Sequence, residues 1–164
     1  MNDQEVGRLV AWCSLECFWQ KVGPLKVSYM INAYLLLASH SHLTAERIMR
    51  LGYEVEPHLN PAVKFRETSV IVNGSVAPNW QEVPRLIQQL LDAKDDLTPT
   101  EWFKEFEEIH PFRDGNGRVG ALLYNWLKDT YHPRNLELVP NLWDDPARAK
   151  NYPREDLWHE FDRA

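Results

Sequence analysis

The sequence predicts a mainly α-helical protein with one short β-hairpin. Apolar residues recur at helical spacing in several segments, and prolines separate those segments. The hairpin is indicated by an Asn-Gly pair that lies between two short runs containing β-branched residues. With 164 residues, 44% of them hydrophobic, the chain has enough apolar surface for a single domain spanning residues 1–164.

Helical periodicity predicts seven helices along the chain. Their expected bounds are Glu5–Val22, Leu25–Ser39, Thr44–Gly52, Gln81–Lys94, Thr100–His110, Asn116–Thr130 and Arg154–Arg163. Pro84 falls in the first turn of the fourth helix, where proline is tolerated. Thr98 or Thr100 is the expected N-cap of the helix that leads to His110.

The predicted hairpin lies between the third and fourth helices. Asn73 and Gly74 favour a two-residue type I′ turn, with strands of about four residues on either side. An isolated hairpin is barely stable, so we expect it to lie against the helical body or against a partner strand. A surface hairpin without any binding role is the alternative interpretation.

The segment His110–Arg118, His-Pro-Phe-Arg-Asp-Gly-Asn-Gly-Arg, is the most informative part of the chain. Apolar residues follow it at helical spacing, which places its glycines at the N-terminus of a helix. Unpaired N–H groups and the helix dipole attract anions at such a terminus. We expect Gly115 and Gly117 to adopt positive φ and to let phosphate approach the backbone, and Arg118 to add a cation.

Three other residues of this segment supply further chemistry. His110, at the end of a predicted helix, could accept a proton from an incoming hydroxyl near neutral pH, as a general base does. Asp114 is an oxygen ligand of the kind that Mg²⁺ prefers. Phe112 is expected to anchor the loop to the core. Together these residue types indicate a site that handles a phosphate group.

The segment resembles the signature of the Fic (Fic/Doc) family. That signature reads His-Pro-Phe, any residue, Asp or Glu, Gly-Asn-Gly-Arg, any two residues, Arg. Eight of its specified positions match, and its closing arginine falls on Ala121. The resemblance is clearest from Phe65 to Leu127. It implies a compact helical bundle with a hairpin called the flap. Similar proteins mostly transfer AMP from ATP to a hydroxyl of a target protein and release pyrophosphate.

The resemblance also implies a role for each matching residue. His110 would deprotonate the target hydroxyl, and Asp114 would hold Mg²⁺. The nucleotide phosphates would be bound by Gly115, Asn116, Gly117 and Arg118. The flap would align the target segment as an added strand, with Val70, Ile71 and Val72 as the docking residues.

Ala121 leaves the phosphate-containing donor open. In the family, the missing arginine helps to hold the terminal phosphates of ATP, and losing such a contact costs about 1.5–3 kcal/mol. Arg66 and Lys128 are candidate cations for the space left by Ala121. A Doc-type protein kinase is one alternative, although such sequences usually replace the glycine at position 117, which is present here. A catalytically silent module that binds a nucleotide or a protein is another.

Charge and hydropathy exclude several other classes of protein. The 18 basic and 24 acidic residues give a net charge of −6, so we expect neither nucleic-acid binding nor binding to an anionic membrane. No apolar stretch reaches membrane-spanning length, and we expect a cytoplasmic, toxin-like protein of the producing cell or of a host cell.

Regulation cannot be assigned to a segment of the sequence. Many similar proteins are inhibited by a helix that carries a Ser/Thr-x-x-x-Glu segment, and this chain contains none. A separate antitoxin-like inhibitor, control by target availability alone, and an activity too specialised to need restraint are the open alternatives.

Overall fold

The computed structural model describes residues 1–143, which contain six α-helices and one hairpin. The helices are α1 (Asp3–Trp19), α2 (Leu25–Ala38), α3 (Ala45–Val55), α4 (Val83–Asp92), α5 (Pro99–Ile109) and α6 (Asn116–Leu127). The hairpin consists of β1 (Ile71–Val72) and β2 (Ser75–Val76), and a 3₁₀ turn at Trp80–Glu82 precedes α4. The predicted fold class is therefore confirmed. The predicted helix Arg154–Arg163 lies outside the described residues.

Helix α6 is the central helix of the bundle, and it packs against α1, α3 and α5. Val119 and Leu122 are fully buried, and even Arg118 and Asn125 are inaccessible to solvent. A helix that is buried on most of its faces needs apolar residues all round, which the sequence of α6 largely provides. The loop before α6 therefore presents the start of a rigid helix.

The helix N-termini are capped in different ways. Thr98 caps α5, and its capping box with Glu101 confirms one of the two expected caps. Thr44 caps α3 by accepting a hydrogen bond from the Arg47 backbone N–H. Helix α6 begins instead at Gly115, whose position has no side chain to accept such a bond. Its first N–H groups are therefore left for another acceptor.

The core is built largely from aromatic and aliphatic side chains of all six helices. The Trp102 indole N–H donates to the Leu90 carbonyl at 2.9 Å and joins α5 to α4. The rings of Phe103 and Tyr124 meet at 5.9 Å between α5 and α6. These contacts fix the two helices on either side of the motif loop. Within residues 1–143, no helix has both the length and the hydrophobicity needed to cross a bilayer.

The hairpin has the predicted turn but shorter strands. Asn73 and Gly74 have φ angles of 47° and 76°, as a type I′ turn requires. Each strand has two residues, not four, with Ile71 paired to Val76. One further hydrogen bond, from the N–H of Ala77 to the carbonyl of Val70 at 2.9 Å, extends the pairing. The next residue after Ala77 is Pro78, a residue type that is usually confined to the ends and edges of strands.

Candidate active site

His110 ends α5 in a left-handed conformation, with φ 52° and ψ 64°. Its backbone N–H donates to the Phe106 carbonyl at 3.0 Å. A left-handed backbone costs a residue other than glycine about 1–2 kcal/mol. Such a conformation persists only where surrounding contacts impose it. It turns the chain sharply out of α5 and directs the following residues towards the start of α6.

The ring of His110 has one nitrogen in a hydrogen bond to the backbone. Its Nδ1 lies 3.2 Å from the Glu107 carbonyl oxygen. Because a carbonyl only accepts hydrogen bonds, Nδ1 carries the proton and Nε2 keeps a free lone pair. Burial lowers the pKa of His110, and the positive charge of Arg66 lowers it further, against the raising effects of the Glu107 hydrogen bond and of Asp114. The ring is thus held neutral near pH 7.

Asp114 is the only predicted metal ligand, and its side chain is 45% exposed. Its Oδ1 accepts a hydrogen bond from the Gly115 backbone N–H at 2.8 Å. Its Oδ2 lies 3.7 Å from Nη2 of Arg118. The described residues contain no group of three metal-ligating side chains. One accessible carboxylate fits Mg²⁺, which commonly takes one or two protein carboxylates and completes its shell with water and phosphate oxygens.

The first turn of α6 is the predicted anion site. Gly115, the N-cap, has φ 84° and accepts the Val119 N–H through its carbonyl. No described residue provides an acceptor for the N–H groups of Asn116, Gly117 or Arg118. Three unpaired amides at the positive end of a helix form a site suited to phosphate oxygens.

The two glycines of the motif have different reasons to be glycine. At Gly115, an added Cβ would lie 2.8 Å from a methyl group of Val55, and the positive φ also disfavours any other residue. Gly117 has ordinary helical geometry, so the expected positive φ is found at Gly115 and not at Gly117. An added Cβ at Gly117 would meet the side-chain amide of Gln20 at 2.7 Å. Gln20 therefore covers one side of the amide turn.

Arg118 was expected to bind phosphate, but its side chain is 1% exposed. Its guanidinium donates to the Val55 carbonyl at 2.9 Å and to the Glu56 carboxylate at 3.2 Å. Glu56 is also buried, and it pairs with Lys26 as well. The Nε of Arg118 has no hydrogen-bond partner among the described residues. A phosphate would have to displace Glu56 to bind this guanidinium directly, so the predicted contact stays a prediction.

Asn116 closes the motif loop with its side chain. Its Oδ1 accepts from the Phe112 N–H, and its Nδ2 donates to the Phe112 carbonyl, each at 2.9 Å. Phe112 is fully buried and packs as the expected anchor. Asn60 joins the loop from outside by donating to the Asp114 carbonyl at 2.8 Å and to the Gly52 carbonyl at 2.9 Å. Only the backbone N–H of Asn116 is thus left for a ligand.

Neither candidate cation takes the place of the missing arginine. Ala121 is fully buried, one turn below Gly117 on α6. Lys128 lies beyond it on the same helix and is engaged by Glu137 and Tyr124. Arg66 is 6% exposed and donates only to backbone carbonyls.

The predicted flap lies next to this loop and is largely accessible. The ring of Phe65, just before the hairpin segment, lies 5.8 Å from the ring of Phe112. The docking candidates Val70 and Val72 are half-buried, whereas Ile71 is 70% exposed. Val70 and Ala77 share a backbone hydrogen bond, and hydrogen-bonded pairs alternate with non-bonded pairs along an antiparallel ladder. Ile71 and Val76 are therefore a non-bonded pair, and their N–H and C=O groups point away from the partner strand.

A small cavity lies beside the amide turn. Its volume is about 140 Å³, and Gln20, Glu107 and Gly117 are among its lining residues. Pockets that enclose a drug-sized ligand commonly have about 300–1,000 Å³. The described residues around this cavity therefore do not enclose a ligand of that size.

The profile of the Fic/DOC family matches residues 31–127, which is more than half of the chain. The chain belongs to the Fic/DOC family. The match includes the hairpin, the motif loop and all of α6. The family that the motif resembles is thus confirmed over a segment much longer than the motif.

Relatives of this Fic/DOC chain include two proteins named protein adenylyltransferase Fic. The protein from Drosophila grimshawi is 32% identical over 108 residues, which are 59% of this chain and 22% of that protein. The protein from Nematostella vectensis is 32% identical over 106 residues, which are 58% of this chain and 25% of that protein. The chain therefore spans about a quarter or less of the length of these relatives.

A solved structure supports the fold. The crystal structure of a Fic family protein from Desulfovibrio desulfuricans G20 matches with a TM-score of 0.57 and 19% identity. The match covers 77% of this chain and 46% of that protein. At this identity, the likeness bears on the arrangement of the helices and not on the chemistry of the site.

Several residues of the site could not be found from the sequence pattern. Glu56, Asn60 and Gln20 reach the motif loop from segments that are far away in the chain. Each is an ordinary polar residue near the end of a predicted helix or in a loop, and no local pattern marks it. Gly52 was a partial signal, because a glycine inside a helix often indicates close packing. An added Cβ there would lie 2.2 Å from the Phe112 ring.

Proposed function

We propose that this protein transfers a nucleotidyl group, in the simplest case AMP from ATP, to a hydroxyl side chain of another protein. One observation carries the proposal: the uncapped start of α6 lies on the same loop as His110, whose Nε2 lone pair is free. The names of the Drosophila grimshawi and Nematostella vectensis relatives support adenylyl transfer.

The residues of the loop account for each part of that reaction. His110 Nε2 takes the proton of the target hydroxyl, and the hydroxyl oxygen forms a bond to the α-phosphorus. The bond between that phosphorus and the bridging oxygen of the β-phosphate breaks, and pyrophosphate leaves with the electron pair. The amides of the first α6 turn stabilise negative charge on the phosphate oxygens. The proton on His110 is then released to solvent.

Asp114 is the residue that would hold Mg²⁺ in this proposal. When bound, Mg²⁺ would offset the charge of the phosphates and of the departing pyrophosphate. The hydrogen bond from the Gly115 N–H to Oδ1 orients the carboxylate. Glu56, the other carboxylate paired with Arg118, is buried, and Lys26 and Arg118 already neutralise it. Asp114 is thus the accessible acid of the loop.

The flap would present the target to His110. The exposed edge of β1 at Ile71 offers backbone groups to which a target strand can add, and its side chain offers an apolar contact. Val70 and Val72 would support that contact from the half-buried face. A cytoplasmic site of action and control by a separate antitoxin-like inhibitor remain predictions from the sequence.

A second candidate function is nucleotide binding without turnover. It is favoured by one observation, namely that Glu56 holds Arg118 and that Ala121 provides no charge. The terminal phosphates of a triphosphate would then meet the α6 amides without an arginine. Losing one charged contact costs about 1.5–3 kcal/mol, which weakens triphosphate use without abolishing it.

Label transfer tests the proposed function. The protein is incubated with Mg²⁺, a cell lysate and a set of labelled nucleotide donors, and labelled proteins are counted for the native chain and for His110→Ala. His42→Ala is the matched control, because His42 is exposed and lies outside the loop. We expect label with the native chain and with His42→Ala, and a loss of about 10²-fold or more with His110→Ala. Absence of any His110-dependent label would reject the proposal.

Calorimetry and mass spectrometry separate the alternatives. Binding of ATP without any added mass on lysate proteins would support the silent module. An added phosphate, in place of an added nucleotide, would support Doc-type kinase action.

A further inference from the structure

Arg66 is a buried cation that the proposed reaction does not use. Only 6% of the residue is exposed, and the described residues include no carboxylate within ion-pair distance of it. Burial alone lowers the pKa of Arg66. A buried guanidinium is costly unless its donors are satisfied, so its hydrogen bonds indicate why it is there.

The guanidinium donates to backbone carbonyls on both sides of the site. Its Nε donates to the His110 carbonyl at 2.7 Å, and its Nη2 reaches the Ile109 carbonyl at 3.3 Å. Its Nη1 donates to the Thr68 carbonyl at 2.8 Å, and its Nη2 also donates to the Pro78 carbonyl at 2.6 Å. All of these acceptors are neutral main-chain groups.

These acceptors belong to two structures, the C-terminus of α5 and the hairpin. Ile109 and His110 form the C-terminus of α5, where carbonyls lack helical partners and a cation is favoured. Thr68 and Pro78 flank the hairpin, one before β1 and one after β2. The backbone N–H of Arg66 itself donates to the Pro111 carbonyl at 2.9 Å. One residue therefore joins both stems of the flap to the loop that carries the base.

We propose that Arg66 is a positioning residue that fixes the flap relative to His110. Its planar fork holds the left-handed backbone at His110 and sets the distance from the flap edge to the ring. The consequence for catalysis rests on the proposed function, because a target held on the flap would reach His110 only at this spacing. The mechanical link itself can be measured without any activity.

Hydrogen exchange tests the link in Arg66→Lys and Arg66→Met. Lysine keeps the charge but has one donor group in place of the fork, so it cannot reach carbonyls of both structures. Arg85→Met is the matched control, since Arg85 is exposed and bonds only to the side chains of Glu82 and Gln89. The reporters are the hydrogen-bonded amides of Ala77 and His110, with amides of α1 and α2 as distant references.

We expect both Arg66 variants to exchange about tenfold faster or more at Ala77 and His110 than the native chain, because charged hydrogen bonds are lost. Amides in α1 and α2 should keep their native rates, and Arg85→Met should match the native chain everywhere. Unchanged rates at the reporters would overturn the proposal, and so would an equal acceleration in all helices. If Arg66→Met does not fold, Arg66→Lys alone decides by the same comparison.

Titration of the His110 ring by NMR separates charge from positioning. The charged groups that act on this ring are Arg66 and Asp114. Arg66→Met should raise the pKa of His110 because a repelling charge is removed, whereas Arg66→Lys should change it less. For Arg66→Lys, we expect faster amide exchange at Ala77 together with a pKa of His110 close to that of the native chain. If the lysine variant keeps native exchange, charge alone is sufficient and positioning by the fork is rejected.

The exchange result and the labelling result are independent. If label transfer fails but exchange is faster in the Arg66 variants, the link stands and the proposed function falls. If label transfer succeeds, the Arg66 variants should raise KM for the protein target by about tenfold while KM for the nucleotide stays close to native. A native target KM in both Arg66 variants would contradict the role in target presentation.

Discussion

The motif loop and the flap lie side by side, yet they are held in different ways. Buried side chains fix the loop: Asn116 closes it, Phe112 anchors it, and Glu56 holds Arg118 beneath it. The flap has two-residue strands and an exposed pair, Ile71 and Val76, and its stems are tied to the loop by Arg66. The loop is therefore held by buried contacts, whereas the flap has an exposed edge. In the proposed function, the first would bind the anion and the second would bind the target protein.

The most severe test of the rigid loop is removal of its buried acid. Glu56→Ala leaves the buried Arg118 without its carboxylate, and such a change typically costs about 3–5 kcal/mol. We expect the free energy of unfolding, measured with denaturant, to fall by that amount. Glu54→Ala, two residues earlier and inside α3, is the control, since the pair of Glu54 with the exposed Arg50 should contribute about 1 kcal/mol or less. Equal losses in the two variants would refute the structural role of Glu56.

A single added methyl group tests how tightly the loop is packed. Gly52→Ala would place Cβ 2.2 Å from the buried Phe112 ring, and overpacking of this kind costs about 1–3 kcal/mol. The same substitution at Gly7 in α1 meets no atom within 4 Å and should stabilise the helix by up to about 1 kcal/mol. Thermal or denaturant unfolding of both variants measures the contrast. Stabilisation by Gly52→Ala would mean that Phe112 is not firmly anchored.

A substitution in the flap should change binding of the protein target and leave the free energy of unfolding nearly unchanged. Ile71→Ser changes a side chain that is 70% exposed, so the free energy of unfolding should stay within about 0.5 kcal/mol of native. If a target strand covers Ile71, KM for the protein target should rise about tenfold, which corresponds to about 1.4 kcal/mol. Leu35→Ser, on the exposed surface of α2, provides a control with a similar loss of apolar surface. A similar effect of both substitutions would remove the special role of the flap edge.

The pH dependence of transfer activity should follow the protonation of His110. Burial lowers the pKa of His110 below its ordinary value of 6.5, so the ring is neutral in the folded protein above that pH. Transfer activity should hold above pH 6.5 and fall only as the pH drops through the lowered pKa. Stability has the same sign, because below pH 6.5 the unfolded chain takes up a proton that the buried ring resists. An acid limb of the rate profile above pH 6.5 would contradict the assignment of His110 as this base.

Local patterns predicted the parts of the site that depend on neighbouring residues. The start of α6 at Asn116 followed from apolar spacing, and the type I′ turn followed from Asn73-Gly74. Most helix ends lay within three residues of their predicted positions, as in α5, which ends at Ile109 and not at His110. Such features depend on backbone geometry and capping, which are determined by short stretches of sequence.

The parts that local patterns did not reveal depend on contacts between distant segments. The place of Arg118 in the motif predicts a phosphate ligand, and that contact stays a prediction. The motif does not show that Glu56, 62 residues away, accepts a hydrogen bond from the Arg118 guanidinium. Arg66 was a candidate cation for the space left by Ala121, but its acceptors are carbonyls up to 44 residues away. The strands were overestimated because the β-branched pattern does not show that the pairing ends before Pro78. No local pattern carries such information.

The central claim is that the first turn of α6 receives the phosphates of a nucleotide. Its most direct test is an NMR titration of the ¹⁵N-labelled protein with ATP and Mg²⁺, in which the backbone amides of Asn116, Gly117 and Arg118 are followed. We predict saturable shifts at these three amides, much larger than those in α2, with the same pattern in His110→Ala. Saturable binding of ATP that leaves these amides unshifted would contradict the account.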